Sequence, residues 1–221
     1  MARTAIYSGG LFPEVCGYRD EVMSVEICDD KEADSKIVEH HYSGKRTPNR
    51  FMSLSVNGGM GYMQLGYGIR PKMKHTISEN IASGNFCEFD RMWMSDELPK
   101  NSESKAISLM LDFLRVARPE IKYVITYADE SVGNRGTIYR ASNAVYVGSI
   151  PCDFFVLQSG ERVHPVTMYH RHGTRSKKAL EKIYPGIRHI WRTFKQRRFV
   201  YPMDRYARRD IEKRRVDYDA E

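Results

Sequence analysis

The amino-acid sequence predicts an α+β (α/β) protein, a mixed central sheet flanked by helices with a basic helical extension at its C-terminus. Three observations carry this. Between Phe86 and Ile150 the order is strand, polar loop, helix, strand, helix, strand, a unit that lays helices against a sheet with parallel neighbours. Residues 51–56 alternate apolar and polar side chains and run into Asn57-Gly58-Gly59, the signature of a hairpin. Residues 171–215 hold 16 Lys and Arg against 4 Asp and Glu, whereas residues 1–170 are mildly acidic.

In chain order, residues 1–20 show no period and carry turn signals at Gly9-Gly10 and Pro13, so they read as a loop or arm. Residues 23–28 read as a short strand, 29–34 as an acidic loop and 35–42 as a helix stopped by Gly44. That helix turns His41 and Tyr42 broadly inward, three and four residues past Val38. After the hairpin, residues 60–69 return as a strand whose glycines suggest a bulge or a ligand approach, and residues 71–85 connect. The central unit comprises a strand over 86–94, a loop over 95–104 and the best helix in the chain, 102–117. Ile107, Met110, Leu111 and Leu114 form its apolar face. Asn101 or Ser102 is placed to cap it and Pro119 to stop it. A buried strand over 122–128 ends at Asp129; a helix over 136–144 and a strand over 145–150 follow. Residues 153–158 and 161–168 read as a strand pair around Ser159-Gly160, 169–175 as a polar loop and 176–184 as a basic helix. Residues 188–199 are basic and aromatic. Residues 203–216 read as a charged helix with i,i+4 pairs Asp204/Arg208 and Asp210/Arg214. The expected organisation is a body, 1–170, with a basic segment, 171–221, packed on the same domain.

A chain of 221 residues with 41% hydrophobic residues can bury a real core. Its four widely spaced cysteines form no CxxC or zinc pattern, which implies reduced thiols in a cytosolic protein. The start lacks the apolar core of a signal peptide, and no run reaches membrane-spanning length. The concentrated basic charge, interleaved with aromatics, points to nucleic acid as partner; the alternative is a solvated helix face.

No Walker-type, GxGxxG or nucleophilic Ser or Cys motif is present. The start of helix 102–117 offers backbone N–H groups to an anion, and an ordinary helix cap is the alternative. His41, Tyr42, Asp129 and Tyr139 sit at the ends of core elements. Each has a structural explanation, yet together they make an acid–base or metal set, and without a thiolate a hard metal such as iron suits them best. His170 and His172, beside Arg171 and Arg175, suit phosphate contact.

The element order resembles the Gcn5-related N-acetyltransferase fold, in which the loop before the corresponding helix grips the pyrophosphate of acetyl-CoA; here that loop reads Lys100-Asn-Ser-Glu-Ser-Lys105. The wording is more specific. Phe89-Asp-Arg-Met-Trp-Met, Leu98-Pro-Lys-Asn-Ser-Glu-Ser-Lys, Tyr127-Ala-Asp and Gly136-Thr-Ile-Tyr-Arg-Ala-Ser-Asn143 resemble the Mom family of phage DNA-modification proteins over about residues 35–200, and His172-Gly-Thr, Tyr184-Pro-Gly and Lys195-Gln-Arg-Arg-Phe fit the same group. The resemblance implies conversion of adenine in double-stranded DNA to an N6-(carbamoylmethyl)adenine-type base, which protects phage DNA from host restriction in the bacterial cytoplasm. It implies a metal contact through His41, Tyr42, Asp129 and Tyr139. It gives Arg91 and Ser104 catalytic positions, and Asn101, Ser102, Glu103, Ser104 and Lys105 the donor, acetyl-CoA or a relative. The duplex would then lie on the basic segment, on His170, Arg171, His172, Arg175, Lys177, Lys178, Arg192, Lys195, Arg197 and Arg198. A homodimer is allowed for. Two other readings stay open: an acetyl-CoA-dependent N-acetyltransferase acting on a protein or small amine, and a non-catalytic phage DNA-binding accessory protein.

Overall fold

The computed structural model describes residues 2–47, 49–68 and 76–220. Residue 69, the expected end of the returning strand, and residues 71–75 of the connecting segment lie outside the described residues. The chain forms two compact units. The first comprises Met1–Tyr127, Gly136–Gly148 and Arg198–Glu221, the second Ala128–Arg135 and Ser149–Arg197.

The first unit is built on a mixed sheet, the α+β class expected. Its strands are β1 (Thr4–Tyr7), β2 (Val15–Arg19), β3 (Ser24–Ile27), β4 (Arg50–Val56), β5 (Gly61–Gly66), β6 (Phe86–Met94) and β7 (Tyr123–Asp129), together with the adjoining parts of β8 (Val145–Val156) and β10 (Arg188–Pro202). Their order is β1-β2-β3-β4-β5-β6-β7-β10-β8. The pairs from β1 to β6 are antiparallel and β6 pairs β7 in parallel. Residues 1–20, expected as an arm, hold a hairpin instead. Gly17 makes its close pairing possible, because a Cβ there would meet the Val25 carbonyl at 2.4 Å.

The helices follow their caps. Helix α1 (Asp30–His40) starts where Asp29 accepts hydrogen bonds from the N–H groups of Lys31 and Glu32 at 2.8 and 3.2 Å. The expected acidic loop is therefore its first turns, with Asp30 and Glu32 facing the positive end of the dipole. Helix α2 spans Ser102–Ala117 as expected, but no side chain caps it: Asn101 stands at its start with φ of 70°. Leu109, Met110, Phe113 and Leu114 of α2 are fully buried, and the helix lies over β2 and β3. Helix α3 (Thr137–Ala141) follows Gly136, whose φ of 78° suits glycine.

Of the expected acid–base pairs in the last helix, neither forms. Asp204 caps that helix, which spans Arg205–Glu212, and Asp210 points inward to Ser78 Oγ at 2.6 Å and Tyr123 Oη at 3.1 Å. Ala207 and Ile211 pack there with Phe86, Ile125 and Val200.

The second unit has its own small core of Phe155, Val163, Met168, Leu180 and Ile187. The expected return strand is short, β9 (Arg162–Val163). His164 Nδ1 then accepts from Val166 N at 3.2 Å and Pro165 opens helix α4 (Pro165–His172). The segment expected as a polar loop is thus largely helix, followed by α5 (Lys177–Glu181). The next basic segment is strand β10, so the C-terminal part is not helical throughout. With the C-terminal helix named α6 (Arg205–Glu212), the elements are complete. The second unit holds 11 Lys and Arg and 5 Asp and Glu, against 24 and 23 in the first. No described helix is long and apolar enough to cross a membrane, and the four cysteines are free thiols.

If α2 holds the first unit together by burial, Phe113→Ala costs about 3–5 kcal/mol, while Val116→Ala, at a position 49% exposed, costs under about 0.5 kcal/mol. Urea unfolding monitored by circular dichroism measures both, and equal effects would contradict the packing described.

Candidate active site

The first unit carries an interrupted ladder. Strands β6 and β7 pair from Phe86 and Tyr123 to Phe89 and Thr126, and the recorded pairing stops there. On the other side of β6, Leu65 opposes Phe89 but Gln64 opposes Arg91, so Asp90 is the extra residue of a bulge. Thr126 Oγ1 donates to the Phe89 carbonyl at 2.9 Å and closes the end of the ladder. Bulges re-aim side chains, and this one sets Arg91. Its Nη1 donates to the Asp90 carbonyl at 2.8 Å, while its Nε is buried without an acceptor among the described residues. No carboxylate lies within ion-pair distance of Arg91 among those residues.

The end of α1 is held over the same strand. Asp34, buried in mid-helix, accepts hydrogen bonds from Arg50 and, at 2.9 Å, from Gln64 Nε2. The His40 ring stacks on Trp93 at 4.4 Å. His41 is the C-cap residue, its N–H bonded to the Ile37 carbonyl. Burial, and next the charge of Arg91, push its imidazole down to about 4, so the ring is neutral at physiological pH. Its Nδ1 accepts from Ser43 N at 3.2 Å and lies 2.9 Å from Ser43 Oγ. Because a backbone N–H can only donate, the ring proton sits on Nε2. Tyr42, expected to point inward, is 53% exposed, its ring 4.2 Å from that of His41.

Tyr139 enters the cluster from α3. It is buried, edge-on to Phe89 and 5.4 Å from the Phe199 ring. Burial raises its pKa, opposed by Thr126 and by Arg91, so it is a neutral phenol. A second buried phenol, Tyr201, lies 2.7 Å from Ser142 Oγ, and burial also raises its pKa. Asp90 is not among the residues the sequence points to; its signal is an acid beside Glu88 and Arg91 in a strand of otherwise large apolar residues. Burial, then Glu88, push its carboxyl up to about 7, against the pull of Arg91. An acid poised there can take or give a proton at neutral pH.

A cleft of about 430 Å³ opens at the start of α2. Lys100, Asn101, Ser102, Ser104 and Lys105 line it, with Ala141–Asn143 from the end of α3. Ser102 Oγ and Ser104 Oγ turn back to the carbonyls of Pro99 and Asn101. The N–H groups of Glu103 and Ser104 find no acceptor among the described residues. Free N–H groups at a helix start, with two lysines beside them, suit an anion. Lys105 is in part committed, 3.2 Å from Asp20.

Asp129 belongs to the second unit. Its carboxylate accepts from Ser131 N at 2.9 Å, Ser131 Oγ at 2.5 Å and Arg162 Nη2 at 2.7 Å, with Cys152 Sγ at 3.5 Å. Burial raises its pKa, but these hydrogen bonds and Arg162 outweigh burial and hold it below the usual range. A carboxylate so satisfied is a weak base.

Thus His41 and Tyr139 both lie within electrostatic reach of Arg91, and Ser104 lines the cleft at the start of α2. The expected metal set does not fit an ion: Tyr42 is exposed, His41 has its Nδ1 engaged by the backbone, and Asp129 is saturated. Among the described residues no three His, Cys, Asp or Glu are grouped to hold a metal.

Of the residues expected to meet DNA, His170, Arg171, Arg175, Lys177, Lys178 and Arg192 are exposed. His172 Nε2 lies 2.9 Å from Tyr184 Oη. Arg197 is 8% exposed and its Nε donates to Glu130 at 2.5 Å; Lys195 N donates to the same carboxylate. Arg198, in the first unit, donates to the Thr76 and Val147 carbonyls. The charges of Arg197 and Arg198 therefore serve the fold.

The chain is similar to several known proteins. Methylcarbamoylase mom of Escherichia phage Mu is 34% identical over 158 residues, 70% of this chain and 65% of that protein. The alignment thus spans just under two thirds of that relative's length. Solved structures overlap more loosely. Ribosomal-protein-S5-alanine acetyltransferase from Vibrio fischeri gives a TM-score of 0.49 at 8% identity, covering 86% of this chain and 98% of that one. AAC(6')-Ib in complex with ribostamycin and coenzyme A gives 0.47 at 12% identity, covering 89% and 99%. The Mom protein family matches residues 22–220, nearly the whole length, and the chain belongs to that family.

Proposed function

We propose that this chain is a phage DNA-modifying transferase that alkylates the N6 amine of adenine in double-stranded DNA to a carbamoylmethyl-type base and so shields phage DNA from restriction. The observation that carries the reading is the cluster at the β6 bulge, joined to membership of the Mom family. An uncompensated guanidinium, a phenol and an Nε2–H imidazole gather there, three donors suited to an oxygen that gains negative charge in a transfer step.

The target amine is held in the base pair and its lone pair is delocalised into the ring, so the adenine must leave the stack. In this reading N6 attacks the donor carbon, an N–C bond forms and the proton leaves N6 for Asp90. Arg91 and Tyr139 hold the oxygen of the transferred group, and the donor's leaving group departs. For the step to balance, the donor must already carry the carbamoylmethyl group on a leaving group, because attack on the carbonyl of acetyl-CoA would give an N-acetyl base; Lys100, Asn101 and the N–H groups of Glu103 and Ser104 would hold the phosphates of such a donor. Asp129 is assigned to positioning: it fixes Ser131 and Arg162. No step passes through a metal. The basic second unit supplies the phosphate contacts.

Expression in bacteria should yield a new modified adenosine in digested DNA by nucleoside mass spectrometry. Tyr139→Phe should lower its yield on the order of 10²-fold, and unchanged levels would remove Tyr139 from the chemistry. Asp90→Asn should cost on the order of 10²- to 10⁴-fold. The base must be ionised, so with Asp90 raised to about 7 the rate should fall as pH drops through about 7 and level off above it. His41, pushed down to about 4, is neutral throughout that range and adds no limb there. A limb near 7 that survives in Asp90→Asn but disappears in His41→Asn would assign the base to the imidazole.

A further inference from the structure

The second unit contains an aromatic column that the proposed chemistry does not use. Phe155 stacks on His189 with ring centroids 4.4 Å apart and 22° between planes, and His189 stacks in turn on Trp191 at 6.5 Å and 25°. His189 is fixed from the side, its Nε2 2.9 Å from Asp153 Oδ1. The bottom of the column is anchored, since Phe155 is fully buried in this unit's core. The top is covered only in part, by the Arg192 guanidinium over the ring, and Trp191 is 47% exposed. Strand β10 departs from extended backbone at the next residue. Arg192 has a φ of 58°, unusual for a residue with a Cβ, and its guanidinium lies 5.1 Å from the Trp191 ring. A large ring held at the surface with an arginine beside it offers a partner a π face and a cation side by side.

Charge selects the occupant. The unit carries 11 Lys and Arg against 5 Asp and Glu, and Arg188 and Arg192 on the same strand are exposed. Resting on the proposed function, we propose that Trp191, backed by His189 and flanked by Arg192, is a nucleobase-stacking contact for DNA. The ring meets the face of a base and Arg192 meets the adjacent phosphate. Stacking on an aromatic ring is indifferent to sequence because every base has a π face. It also suits a site where one base leaves the helix and a neighbour loses its stacking partner.

The chain has two tryptophans, so the full-length Trp93→Phe protein reports on Trp191 alone. Titration with a short adenine-containing duplex should quench Trp191 emission, whereas inorganic polyphosphate should bind without quenching. Trp191→Ala should weaken duplex binding roughly tenfold with an unchanged salt slope and thermal midpoint, and Trp191→Phe should restore most of it. Lys177→Ala, by contrast, should reduce the salt slope by about 1. Duplex binding that leaves Trp191 emission and the Trp191→Ala affinity unaltered would overturn the stacking contact while the DNA reading stands. No duplex binding by the unsubstituted chain would overturn both. A dimer that Trp191→Ala dissociates would give the ring to a second copy and overturn the proposal.

Discussion

A half-buried positive charge with no carboxylate within ion-pair distance among the described residues governs the first unit. Arg91 stands just past the point where the β6–β7 ladder ends, and the bulge at Asp90 decides where its guanidinium goes. Taking such a charge out of water is costly unless other groups share the load. Here a backbone carbonyl accepts from Nη1, the same charge lowers the titration of His41 and Tyr139, and the neighbouring carboxyl is kept near half protonation by burial and Glu88. The surrounding helices serve this arrangement. Asp34 ties α1 to β4 and β5, and His40 on Trp93 keeps the helix end over β6. Gly136 starts α3 so that Tyr139 enters the cluster while Ala141–Asn143 line the cleft. A place that stabilises negative charge is thereby built before any substrate arrives, which is what electrostatic catalysis requires.

The division of charge follows the division of labour in the proposed function. The first unit is close to neutral, so its unmatched cation acts locally. The second carries most of the excess positive charge on α4, α5 and the first half of β10. Its basic side chains are of two kinds. Arg162 and Arg197 are spent on Asp129 and Glu130 and stiffen the unit. Lys177, Lys178, Arg188 and Arg192 stand in solvent, where a polyanion releases counterions on binding.

Much of the frame was legible in the sequence. Strand Phe86–Met94 and helix Ser102–Ala117 were read to the residue, because each is a long apolar pattern with a clear stop. The placing of Asp129 at the end of β7 was also legible, as was that of Tyr139 on the following helix, where it stands mid-helix and not at an end. What escaped depends on partners far away in the chain. The β1–β2 hairpin has little period of its own and is stabilised by pairing with β3. In β10 the charges mask the alternation of a strand. The commitment of Arg197 to Glu130, 67 residues away, leaves no local trace. Asp90 stands in a segment that reads as an apolar strand, and its bulge leaves no local trace, since a bulge is a property of the pairing and not of the strand. Nor could spacing reveal that Asp129 would be saturated by Ser131 and Arg162, which removes it from the role of base.

The account rests on Arg91 acting on the half-buried His41, and NMR titration of the His41 ring tests this most directly. The imidazole should titrate near 4 as the Nε2–H tautomer and move upward in Arg91→Met. A ring that titrates near the ordinary value of about 6.5 and ignores the Arg91 substitution would contradict the central claim.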